Sequence, residues 1–181
     1  IDYFKYSKKF VKFFPTLKSK NIKEIDYKKN KKIKIGFVAK DFAVNHSINY
    51  FLKDTLKNFD KNKFELFSFS LSSDNFIKGS SLELKNNFDK WYDLSNYNNQ
   101  EIINKIQEER IEILFDIMGL THADRIEIFN TRCSPVQISW MAFLNTVGEV
   151  AVLMEKNGIE EKLISQRNLN VCELIDMLET A

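Results

Sequence analysis

Five short runs rich in β-branched and aromatic residues recur along the chain, separated by longer stretches of helical period. That alternation most limits the folds open to the chain. It predicts βαβ units and a parallel sheet covered by helices on both faces, because a parallel strand must be followed by a crossover. The first strand is expected at Ile33–Ala39, ending the lysine-rich lead-in at "KIKIGFVA". "KFELFSFSLS", "KWYDLS", "IEILFDIMG" and "PVQISWMAF" are the expected second to fifth strands, the last tolerating Pro135 at its first position.

Between them, "INYFLKDTLKNF" places Phe51, Leu52, Leu56 and Phe59 on one helical face. "NFIKGSSLELKNNF" is a weaker helix because of Gly79 and its paired serines. "NNQEIINKIQEER" is the strongest, with Ile102, Ile103 and Ile106 spaced for burial behind an asparagine-rich start able to cap it. "HADRIEIFNTR" predicts a short helix after the fourth strand. The expected fold is therefore α/β, a Rossmann-like doubly wound parallel sheet. Residues 1–32 form a lysine-rich lead-in expected to be helical, and residues 33–148 form the sheet unit. Residues 149–181 form a helical tail with Leu163, Val171, Leu174, Ile175 and Leu178 as its apolar stripe.

At 181 residues the chain can bury a real core as one domain with an appendage. No apolar run approaches the roughly 20 residues that cross a bilayer, so no membrane association is expected. The charged start "IDYFKYSKKFVKFF" does not read as a signal peptide. Cys133 and Cys172 lack any metal-type spacing. Together these features lead us to expect free thiols and a cytoplasmic location. The chain opens on Ile1 rather than Met, which suggests a fragment of a longer protein. Residues 1–34 hold twelve lysines against Asp2, Glu24 and Asp26. Such a stretch can mark a nucleic-acid binder. Lysine, asparagine and isoleucine are abundant throughout, however, and solvated lysines need no partner, so nucleic acid is not expected.

In a doubly wound sheet, ligands sit beyond the carboxyl ends of the strands where strand order reverses, commonly between the first and fourth. Both histidines of the chain fall there: His46 in the loop after the first strand and His122 in the loop after the fourth. A histidine in such a loop suits general-base work on a hydroxyl, because imidazole changes charge near neutral pH. A polar loop residue before a helix can equally serve only as a cap. Glycine patterns for a dinucleotide or a P-loop are absent, as is a nucleophile-elbow serine. There is no Asp-x-Asp pair either, so neither a metal nor a cofactor is expected.

From "KIKIGFVAKDF" and "NHSINYFL" through "EILFDIMGLTHADRIEIFNTR" to "CSPVQISWMAFLNTVG", the chain resembles the catalytic region of the O-linked N-acetylglucosamine transferases and SPINDLY-like glycosyltransferases. The most specific matches are Gly119, Thr121, Arg125, Arg132, Pro135, Gln137, Trp140, Thr146 and Gly148, in that order. The resemblance implies the amino-terminal lobe of a GT-B fold. It further implies transfer of N-acetylglucosamine from UDP-GlcNAc to serine or threonine hydroxyls, with inversion and without metal. The partners it implies are a UDP-sugar donor, a protein acceptor and a carboxy-terminal lobe.

By the same resemblance His46 is the catalytic candidate. Asp41, Asn45, Gly119, Thr121, Arg125, Asn145, Thr146 and Gly148 are candidates for binding donor or substrate. Three departures stand out: an extra residue between Asp41 and His46, Leu120 where relatives carry an aromatic or histidine, and "MAFLNTVG" in place of a Gly-Tyr-Pro-Gly-Thr run. The segment beyond Gly148 does not resemble a second lobe, so the chain alone is expected to be inactive. The alternative is a non-catalytic remnant or protein-interaction module.

Overall fold

The computed structural model describes residues 9, 12–20, 31–42 and 46–140. The expected helical tail lies outside the described residues. In chain order the elements are β1 (Ile33–Ala39), α1 (Ser47–Lys57), β2 (Phe64–Ser70), a 3-10 turn (Asp74–Phe76) and α2 (Ser80–Lys85). These are followed by β3 (Lys90–Asp93), α3 (Asn99–Glu109), β4 (Ile113–Asp116), a 3-10 segment (Gly119–Arg125), α4 (Ile126–Asn130) and β5 (Val136–Ser139).

The strands form one five-stranded sheet in the order β3-β2-β1-β4-β5. Every pairing is parallel. The fold is therefore the expected α/β architecture, a Rossmann-like sheet flanked by helices. β1 is central and pairs along its whole length with β2, from Ile33↔Phe64 to Ala39↔Ser70. It also pairs with β4 from Ile35↔Ile113 to Val38↔Asp116. Strand order reverses between β1 and β4, which opens the crevice where ligands settle in such sheets.

One face of the sheet carries an aromatic core. Phe37 stacks on Phe115 at 5.0 Å between ring centroids and meets Phe88 edge-on at 5.7 Å. Phe42, just past β1, packs on Phe88 and Trp91 at 5.9 and 5.4 Å. Phe42 is fully buried, so the loop that leaves β1 is anchored at this point. α3 starts with a reciprocal capping box between Asn98 and Glu101 and buries Ile102, Ile103 and Ile106, the residues its sequence spacing indicated.

Four expectations need correction. Residues 14–20 of the lead-in are not helical: Pro15 lacks an N–H and disfavours helix at the residue before it. They run irregularly across α3 and α4, held by Leu17 N–H on Thr131 Oγ1 at 2.8 Å and by Gln100 Nε2 on the Lys18 carbonyl at 2.8 Å. The helix expected over "NFIKGSSLELKNNF" shrinks to α2, whose N-cap Gly79 has φ +55° and so cannot extend it.

The fourth strand, expected over "IEILFDIMG", already ends at Asp116, because the Asp116 carboxylate takes the N–H groups of Met118 and Gly119 out of the ladder. Finally, Phe51 is 66% exposed instead of lying on the buried face of α1, which is formed by Ile48, Asn49, Leu52 and Leu56.

Candidate active site

Two loops build the site, one at the carboxyl end of β1 and one at the carboxyl end of β4. In the first, Asp41 sits between Lys40, which is ion-paired with Asp124 at 3.6 Å, and buried Phe42. His46 then ends the loop as the N-cap of α1, its Nδ1 accepting the N–H of Ile48 at 3.4 Å. A side-chain acceptor here satisfies one of the helix's unpaired N–H groups. The aromatic ring of Phe51 comes about one turn further along α1.

In the second loop, buried Asp116 accepts from Met118 N at 2.8 Å and from Gly119 N at 2.9 Å. Burial pushes its carboxyl up to about 6, although those two N–H groups and nearby His122 pull the other way. Gly119 has φ +55°, a conformation that favours glycine and turns the chain sharply back toward the crevice. Thr121 donates its hydroxyl to the Met118 carbonyl. His122 comes next, at a kink with φ −119° and ψ 71° inside the 3-10 segment.

The loops meet at Asp41. Its Oδ1 lies 3.1 Å from His122 Nε2 and 3.8 Å from His46 Nε2. Asp41, His46, Ser47, Ile48, Phe51, Thr121 and His122 line a cavity of about 380 Å³, in the size range of a small-ligand pocket. The cavity has an aromatic wall at Phe51 and a polar wall at Asp41 and the two imidazoles. It can therefore hold a ligand that presents both an apolar face and hydroxyl or anionic oxygens.

The expected site residues do not all gather there. His46, Asp41 and Thr121 line the cavity. Gly119 is buried behind it and acts through its turn. Arg125 points elsewhere, with Nη1 donating to the Tyr97 carbonyl at 3.0 Å and to Asn99 Oδ1 at 2.9 Å, so that it ties this loop to the start of α3. Asn45, Asn145, Thr146 and Gly148 lie outside the described residues.

Sequence reasoning assigned no role to Phe51 in the cavity or to Asp116 beneath it. The available signal for Asp116 was a lone carboxylate closing the otherwise apolar run "ILFD". Among the described residues, no cluster of three or more His, Cys, Asp or Glu could hold a metal ion. None of the described helices is long and apolar enough to cross a membrane.

Over 118 residues the chain is 27% identical to the probable UDP-N-acetylglucosamine–peptide N-acetylglucosaminyltransferase SEC of Arabidopsis thaliana, covering 65% of this chain and 12% of that protein. Its identity to the UDP-N-acetylglucosamine–peptide N-acetylglucosaminyltransferase of Caenorhabditis elegans is 30% over 118 residues, covering 65% and 10%. The probable SPINDLY enzyme of Oryza sativa subsp. japonica matches at 25% identity over 150 residues, covering 79% and 15%. The chain thus spans only 10 to 15% of the length of these relatives.

A solved structure of a mutant O-GlcNAc transferase from Thermobaculum terrenum superposes with a TM-score of 0.69. That match is 22% identical in sequence and covers 80% of this chain and 28% of the other, which establishes a shared fold. The profile described as "Glycosyl transferase family 41" matches residues 14–165, taking in the whole sheet and both crevice loops. Since that match spans well over half of its length, the chain belongs to glycosyl transferase family 41.

Proposed function

We propose that residues 33–148 are the amino-terminal lobe of a GT-B glycosyltransferase of the peptide O-GlcNAc transferase type, preceded by the lead-in 1–32 and followed by residues 149–181. In the complete enzyme the reaction is transfer of N-acetylglucosamine from UDP-GlcNAc to a serine or threonine hydroxyl, with inversion and without a metal. His46 stands at the reacting end, while Asp41 and Thr121 approach the donor. The observation that carries this reading is the cavity itself. In a family 41 chain, the two loops at the reversal of strand order bring both histidines onto one carboxylate around an open space of about 380 Å³.

The relatives are many times longer, and the remainder of such an enzyme would supply the groups that neutralise the departing diphosphate. Electrostatic stabilisation of that kind is often the largest catalytic contribution. This chain by itself therefore holds UDP-GlcNAc weakly and has little or no turnover. The test is titration of UDP and UDP-GlcNAc into the purified chain, followed by NMR. Saturable shifts centred on His46, Thr121 and His122 are expected, even at millimolar ligand. No shift at any attainable concentration would overturn the reading and leave a non-catalytic interaction module in its place.

A further inference from the structure

The two imidazoles at Asp41 are not equivalent. His46 Nδ1 accepts the Ile48 N–H at 3.4 Å, and an accepting ring nitrogen carries no proton. The proton of neutral His46 is therefore on Nε2, the nitrogen facing Asp41. The 3.8 Å from that nitrogen to Asp41 Oδ1 is too long for a hydrogen bond. His122 occupies the same oxygen at 3.1 Å, and because an ionised carboxylate only accepts, its Nε2 carries a proton as well. The pair is framed by charged groups: Asp116 interacts electrostatically with His122, and the Lys40–Asp124 ion pair joins the same two loops.

We propose that Asp41 is a positioning residue. By accepting the His122 Nε2–H across the crevice, it leaves the His46 Nε2–H, whose ring the helix cap holds, for the cavity, where His46 donates a hydrogen bond to an oxygen of the nucleotide sugar instead of taking a proton from the acceptor. A base at this position would need a bare Nε2, and the helix cap opposes the tautomer that provides one. The inference rests on the glycosyltransferase reading for the identity of the ligand, but not for the protonation pattern.

The test is imidazole ¹H–¹⁵N spectroscopy of the labelled chain at neutral pH. In the unligated protein, two-bond correlations should place the proton of both rings on Nε2. The His122 Nε2–H should also be directly visible, protected from exchange by Asp41. Asp41→Ala should abolish that protected signal. If that variant does not fold, His122→Gln serves instead, with the His46 proton remaining on Nε2 and its resonance shifted. A shift of the His46 Nε2–H with UDP places the partner oxygen on the diphosphate, whereas a shift with UDP-GlcNAc alone places it on the sugar.

A proton on Nδ1 of His46, or a His122 Nε2–H that exchanges as freely as in the denatured chain, would overturn the proposal. If neither ligand moves any signal while the tautomers are as described, the functional reading fails and the assignment of Asp41 as the residue that holds His122 stands.

Discussion

Asp116 Oδ1 accepts the backbone N–H of Gly119 at 2.9 Å from inside the protein, so the carboxylate that shapes the turn beneath the cavity is itself almost wholly removed from water. Burial, opposed by the Met118 and Gly119 N–H groups and by His122, raises this group from 3.8 to about 6. Between those values the native state keeps a proton that the unfolded chain has lost. Stability therefore falls as pH rises through the window, by about 1–3 kcal/mol in total. Asp116→Asn preserves an acceptor for both N–H groups without the charge. It should flatten this slope and raise stability at pH 7, as measured by urea unfolding at a series of pH values. An unchanged slope would mean that Asp116 ionises without penalty.

Gly36 is fixed by lack of space, not by an unusual backbone. A Cβ at that position would stand 2.9 Å from both Leu114 Cδ1 and Phe69 Cε2, and 3.0 Å from Ile111 Cγ2. Gly36→Ala should lose about 1–3 kcal/mol to overpacking, more than the ~0.5–1 kcal/mol that alanine gains over glycine in chain entropy. Gly36→Val should lose more. Denaturant midpoints at an unchanged m-value would report this directly, and an alanine variant as stable as the parent would show that the three side chains can yield.

At the sheet edge, Glu109 receives hydrogen bonds from Tyr92, Lys105 and Lys90, with its side chain only 12% exposed. Burial pushes its carboxyl up, but those donors outweigh it and hold the group at about 2. A carboxylate lowered from 4.5 contributes stability that is complete above that value and is lost as pH falls toward 2. Glu109→Gln should cost about 2 kcal/mol at pH 7 and remove this part of the acid-unfolding limb. The measurement is acid titration by circular dichroism, and coincident acid limbs for parent and variant would contradict it.

These cases show which parts of the molecule the sequence made legible. β1 has the bounds that its apolar run implied, and α3 its cap and buried face, because both arise from periodicity and capping chemistry. The crevice between β1 and β4 was implied by topology alone, and both histidines line it. What periodicity cannot carry is the aim of a side chain. Phe51 was expected on the buried apolar face of its helix yet lines the cavity, and Arg125 fits a family motif yet is spent on Tyr97 and Asn99. Asp116 ended β4 early through a local hydrogen-bond pattern, its side chain accepting from backbone N–H groups two and three residues on, that strand propensity does not register.

His46 has two separable duties, and two substitutions divide them. Its Nδ1 caps α1, while its Nε2 faces Asp41 and the cavity. His46→Ala removes both and should cost about 1 kcal/mol of stability through the lost cap. His46→Asn restores a side-chain oxygen among the best at an N-cap, so its thermal midpoint should match or exceed the parent's. Neither variant keeps a ring nitrogen at the cavity, so both should weaken UDP-GlcNAc binding to the chain. In a complete enzyme both should lower turnover by about 100-fold or more, the scale of losing a hydrogen-bond donor that acts at the reacting centre. A His46→Asn protein that is stable and also fully active would confine His46 to the helix cap and remove it from the chemistry.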